Sequence, residues 1–189
     1  MGLQKRVTFC QSERSLLEFC PAHCKLQIIK LMRTRRTWRE KLADSKGFPR
    51  VQRVTARMAS RWGKGTFVIP APLEVDALMQ RVPAGKVTTI NELRAALAKK
   101  HDADFGCPIT TGIFAWIAAH AAEEAAAAGE TGVTPYWRTL KSGGQLNAKY
   151  PGGIAATRKR LRAEGHQVVK RGKNYFVRDF QNAVVDSFP

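Results

Sequence analysis

The stretch TPYWRTLKSGGQLNAKYPGG, residues 134–153, places two aromatic rings and a guanidinium between a proline and a glycine-rich polar loop. By residue type, Tyr136, Trp137 and Arg138 suit a catalytic pocket, a surface that reads nucleic acid, or a well-packed turn. Other reactive groups are sparse. Cys107 precedes Pro108 in an otherwise apolar turn and reads as a small buried hydrophobe. Nucleophilic use of its thiol needs a base, and neither His101 nor His120 carries a local signature that places it beside Cys107. The segment CPAHC, with Cys20, His23 and Cys24, looks like half of a zinc site, yet no second ligand pair follows at finger-like spacing. No H-E-x-x-H pair, phosphate-binding P-loop or serine elbow occurs, so no metal and no cofactor is expected.

Charge points more clearly. The 189 residues carry 32 Lys and Arg against 15 Asp and Glu, a formal net charge of +17. Residues 1–65 hold 16 basic and 4 acidic side chains, and residues 66–189 hold 16 and 11. Such an excess favours a polyanionic partner, with nucleic acid ahead of an anionic membrane surface. With 44% hydrophobic and 25% charged residues the composition is that of a globular chain. There is no apolar window near 18 residues and no secretory leader pattern. A soluble, cytoplasmic protein with reduced thiols is expected, nucleoid-associated if bacterial.

The elements that must position these groups follow from periodicity and capping. Residues 1–31 have weak periodicity and read as an extension outside the fold, or as the product of an upstream start at Met1 rather than Met32. Residues 32–65 read as a basic arm with one short helix from Thr37 to Asp44, then a linker GFPRVQRV and a second basic stretch, ARMASRWGKGT. The compact part is expected over 66–189. There Pro72 opens a helix with the stripe Val75, Leu78, Met79 and Val82, stopped by Pro83 and Gly85. Thr89 and Glu92 fit a capping box, each satisfying an amide at the start of a helix through Leu93, Ala96 and Leu97 to about Lys100. Another helix runs from Thr110 or Thr111 through the alanine-rich stretch to Gly129. A last one starts after Gly153 and ends at Gly165. The tail HQVVKRGKNYFVRDF reads as two strands joined at residues 170–173. The fold class is mainly α (α+β), of winged-helix character, with a C-terminal β-hairpin and a helix-turn-helix whose connection, HDADFGCP, is longer than usual.

The order of motifs, rather than composition, resembles a known family. The segments VPAGKVTTINEL, PITTGI, PYWRTLKSGGQL and KYPGGIAATRKRLRAEG, within residues 72–165, are similar to the alkyl-accepting, DNA-binding domain of O6-alkylguanine-DNA alkyltransferases. Pro135-Tyr136-Trp137-Arg138 stands where the family has Pro-Cys-His-Arg, and Ser142, Gly144, Leu146, Tyr150 and Gly153 keep the family spacing. The departures are chemical: Tyr136 replaces the accepting thiol and Trp137 the activating histidine. A phenol with a pKa of about 10 is a poor nucleophile beside a thiol near 8.5. Ile90 stands for the family's first-block tyrosine, and Ile109 for its intercalating arginine, so that an apolar wedge takes the place of a guanidinium. The resemblance is therefore to the cysteine-less, alkyltransferase-like branch.

That resemblance implies a noncatalytic protein that binds double-stranded DNA, including DNA with an alkylated base, in concert with repair proteins and without a membrane. It places Thr110, Thr111 and Gly112 at the start of a recognition helix, with the threonines on phosphates or groove edges and Ile109 beside them. Tyr136 and Trp137 line a pocket or stack on a base, Arg138 supports it, and Ser142, Gly143 and Gly144 form its edge. Lys141, Lys149, Arg158, Lys159 and Arg160 are expected on phosphates, as are Arg33, Arg35, Arg36, Arg39 and Lys41 of the arm. The alternatives are an alkyl-transfer or other DNA-modifying enzyme with an unusual nucleophile, a protein-interaction module that has lost DNA, and a small-molecule pocket.

Overall fold

A computed structural model describes residues 36–45, 47–185 and 188. Among them the chain is α+β, with six α-helices and seven short strands, and Thr37–Pro189 form one compact unit. The expected extension over residues 1–31, with Cys20, His23 and Cys24, lies outside the described residues.

The first described element, helix α1 (Trp38–Ala43), has the capping box its sequence allows. The Thr37 hydroxyl accepts from the Glu40 amide at 3.1 Å, and the Thr37 amide donates to the Glu40 carboxylate at 2.9 Å. The supposed linker that follows contains strand β1 (Arg50–Arg53). It pairs antiparallel with β2 (Thr66–Ile69), with Val51 opposite Val68. Between them, the second basic stretch forms helix α2 (Ala56–Trp62), none of whose residues is buried. Both elements escape a hydrophobic-period search because they contribute no fully buried side chain.

Helix α3 (Pro72–Gln80) begins with its proline, and the Ala71 amide donates to Glu74 at 3.0 Å. Its expected stripe is inside: Val75, Leu78, Met79 and the following Val82 are all buried. Strand β3 (Thr88–Thr89) leads directly into helix α4 (Ile90–Lys100). Its cap differs from the expected box. The Thr89 hydroxyl accepts from the Asn91 amide at 3.2 Å, while the Glu92 carboxylate accepts a hydrogen bond from the Thr89 hydroxyl instead of from a backbone amide.

The long connection from α4 to helix α5 (Thr110–Ala127) is not a free loop. It holds strand β4 (Phe105–Gly106), parallel to β2, and the Cys107 amide donates to the Val68 carbonyl at 2.8 Å. Gly106 is required there, since a Cβ would meet the Arg94 carbonyl at 2.7 Å. On α5 the residues Ala115, Ala118, Ala119, Ala121 and Ala122 are buried, and their small side chains let α1 and α3 lie close against the helix.

Strand β5 (Thr139–Leu140) pairs parallel with β3. Helix α6 (Gly153–Ala163) follows, and β6 (Val168–Arg171) and β7 (Asn174–Val177) make the expected hairpin, turning at Gly172 with φ of 59°. Two clusters of side chains hold the unit together. The larger joins α3, α4 and α5 with Tyr136 and Tyr150; the smaller joins Val87, Leu140, Leu146, Leu161 and Val177. Leu93, Leu97 and Leu161 lose all exposure, each worth roughly 1.5–3 kcal/mol of transfer energy.

Candidate nucleic-acid interface

The PYWR segment forms a single 3-10 turn, Tyr136–Arg138, at the seam of the two clusters. Tyr136 is not a pocket wall. It is 1% exposed, edge-on to Trp137 and Tyr150, and its hydroxyl donates to the Glu123 carboxylate at 2.9 Å, with the Pro151 carbonyl at 3.4 Å. Burial first, and the bond to Glu123 second, push its pKa up to about 12 against the pull of the Arg160 charge. The phenol is therefore a neutral donor. Its oxygen is committed to holding α5 and the 147–151 loop together, and it offers no phenolate for displacement chemistry.

Trp137 spans both clusters, and its indole N–H donates to Glu164 Oε1 at 2.7 Å. Arg138 grips the same carboxylate: Nε reaches Oε2 at 2.9 Å, Nη2 reaches Oε1 at 2.8 Å, and Nη1 donates to the Val82 carbonyl at 2.6 Å. Burial alone would raise the Glu164 pKa. The bonds from Arg138 and Trp137, with the Arg138 charge, outweigh it and hold the carboxyl below its ordinary range. Arg138 thus supports the turn from behind rather than facing a ligand. Glu164 and Glu123, which fix the turn from α6 and α5, carry no motif signal of their own; only the arginine and tyrosine they bind point to them.

The pocket edge is tighter than its glycines suggest. Ser142 and Gly143 are exposed, but Gly144 is buried with φ of 77° and the Phe180 ring against it, where a Cβ would lie 2.4 Å from Cδ1. The loop is tied to the hairpin, the Leu146 amide donating to the Tyr175 carbonyl at 2.9 Å. Leu146 and Tyr150 are core residues.

At the start of α5 the expected contacts divide. Thr111 is fully buried and its hydroxyl donates to the Cys107 carbonyl at 2.8 Å, so it cannot meet a phosphate. Thr110 is half-buried, and its Oγ1 is enclosed with no hydrogen-bond partner. The surface is made instead by Ile109, 56% exposed, Ile113, 45% exposed, and Gly112 between them, where an added Cβ would meet nothing within 4 Å. Ile109 and Ile113 are four residues apart and share one face of the helix. One turn on, the Trp116 indole donates to the Lys149 carbonyl at 3.0 Å and holds the loop with the exposed Lys149 against α5.

Several expected phosphate contacts are engaged internally. Arg39 donates to Glu130 at 2.6 Å and its amide to Glu124 at 3.0 Å, and Lys41 lies 3.9 Å over the Trp38 ring. Arg160 pairs with Glu123 at 3.1 Å and covers the Tyr136 and Trp137 rings. Arg158 lies over Tyr175. Lys141 and Lys159 are exposed, as is Arg36, which has an interaction of its own. Arg33 and Arg35 fall outside the described residues.

A groove of about 650 Å³ that no motif announces lies beside Ile109, lined also by Arg61, Trp62, Arg94, Phe105 and Pro108. Trp62, in a segment read only as basic, was the available signal. Cys107 is buried at 3% exposure, as expected.

No family model matches the chain, and no curated protein matches it. Two solved structures are similar to it: S. pombe Atl1 in complex with damaged DNA containing O6-carboxymethylguanine, and S. pombe ATL in complex with DNA. Each is 18% identical, with 61% of this chain and 94% of that chain covered and a TM-score of 0.45.

Proposed function

We propose that this chain binds duplex DNA through the first turn of α5 and does not accept alkyl groups. The observation that carries the reading is the pair of exposed isoleucines, Ile109 and Ile113, flanking an open Gly112 at the start of a helix whose alanine face is buried, in a chain of net charge +17. Apolar side chains at a groove suit sugar edges and base steps, an open glycine lets backbone approach, and the cations supply a sequence-independent field. Against alkyl transfer stand the enclosed, neutral Tyr136 phenol and the buried Cys107. Preference for an alkylated base is a finer part of the proposal. With Tyr136 closed, such a base would be met at the surface of the turn and not received by the phenol.

The test is equilibrium titration of duplexes with and without O6-methylguanine at two salt concentrations, with intact-mass analysis of the protein afterwards. Binding that weakens with salt and leaves the mass unchanged supports the reading. No binding at low salt removes DNA as the partner. A stable methyl adduct on the protein overturns the noncatalytic part.

A further inference from the structure

The groove beside Ile109 has a chemistry of its own. Three other cavities, of about 300, 420 and 540 Å³, each include at least one carboxylate: Asp76 and Glu130, Glu74, or Asp104. This one has two guanidinium groups and no acid. Arg61 is exposed and has no ion-pair partner among the described residues. Arg94 is spent only on neutral oxygens, Gly106 O at 2.8 Å and Asn91 Oδ1 at 3.2 Å, so no carboxylate among the described residues compensates its charge.

The rings in the groove are fixed. Trp62 meets Phe67 and Phe105 edge-on, with centroids 5.4 and 6.4 Å apart, and those two rings stack at 5.9 Å. Trp62 is only half-buried, and its indole N–H has no partner among the described residues. An immobilised, partly open indole next to two cations is the combination that takes a base on its face and the attached phosphate on the guanidinium groups.

Ile109 belongs both to this groove and to the exposed face of α5, so a strand lying along that face passes the mouth of the groove. We infer that the groove between α2, α4 and the start of α5 holds one unpaired nucleotide of the bound DNA, its base stacked on Trp62 and its phosphate held by Arg61 and Arg94. This rests on the proposal that α5 binds duplex DNA.

The experiment compares an intact duplex with the same duplex carrying one extrahelical 2-aminopurine, at fixed salt. Wild-type protein is expected to bind the bulged duplex roughly tenfold more tightly and to quench the 2-aminopurine on binding. Trp62→Ala should lose both the preference and the quenching, and Trp62→Phe should keep most of the preference. Because Trp62 also packs on Phe67 and Phe105, Arg61→Glu is the second variant: its side chain is exposed, and it should reduce the preference without altering thermal unfolding. Equal binding of the two duplexes by wild type, or a preference that survives Trp62→Ala or Arg61→Glu, overturns the inference while leaving duplex binding intact. Failure of wild type to bind either duplex at low salt defeats the proposed function itself, and the inference with it.

Discussion

Replacing Arg138 separates a structural role from a ligand-binding one. Its side chain and that of Glu164 are 15% and 14% exposed, and the pair is joined in a fork by Nε at 2.9 Å and Nη2 at 2.8 Å. Exposed ion pairs contribute about 0–1 kcal/mol, whereas removing one partner of a buried pair costs about 3–5 kcal/mol. Arg138→Ala also leaves the Val82 carbonyl without its 2.6 Å donor, while Trp137 Nε1 still serves Glu164. The residual donor places the expected loss near the lower end, about 3 kcal/mol. Arg138→Lys should fall between, since an ammonium cannot make the fork. Urea unfolding with an unchanged m-value measures the loss, and duplex affinity is then determined where the variant is fully folded. Affinity should be unchanged there. A loss below about 1 kcal/mol, or intact stability with abolished DNA binding, would refute the assignment of Arg138 to the scaffold.

Gly144→Ala should destabilise by about 2 kcal/mol or more, from left-handed backbone and the collision with Phe180, read as a fall in the unfolding midpoint. Gly112→Ala should do the reverse for the fold, raising stability by up to about 1 kcal/mol through helix propensity, yet weaken duplex binding; unchanged affinity would deny close approach at that position. The stability difference between wild type and Arg138→Ala should depend on pH. Glu164 has a lowered folded pKa, so its contribution is fully present above the ordinary carboxylate value of about 4.3 and is lost as pH falls below it through the folded value. The gap should therefore narrow in acid, as followed by unfolding at stepped pH.

Much of the framework is legible in the residues. Pro72 and the stripe ending at Val82 fix α3, and the Gly172 turn fixes the hairpin, because local propensity and burial agree there. Strand β1 and helix α2 are not legible. All four residues of β1 are exposed, and α2 buries none, so neither leaves an apolar period. At the site, residue type alone could not separate Tyr136 from a cavity-facing ring, since an aromatic suits either place; the distant Glu123 decides it. Thr111 shows the same limit. A threonine in a first helical turn reads as a contact until the Cys107 carbonyl takes its hydroxyl.

The aromatic contact between α1 and α5 bears on how far the chain can be cut. Trp38 lies edge-on to Trp116 at 4.7 Å and stacks on His120 at 4.4 Å, and Leu42 packs against the larger cluster. The motifs that resemble a DNA-binding domain begin only at residue 72, which invites excision of that segment as a module. Such a fragment would be unsound. It would strip β2 from beneath the α4–α5 connection and uncover the alanine face of the helix that presents Ile109 and Ile113. The segment before residue 72 is a brace for the helix that presents Ile109 and Ile113, and shortening it would disturb that exposed face even with Ile109, Gly112 and Ile113 unchanged.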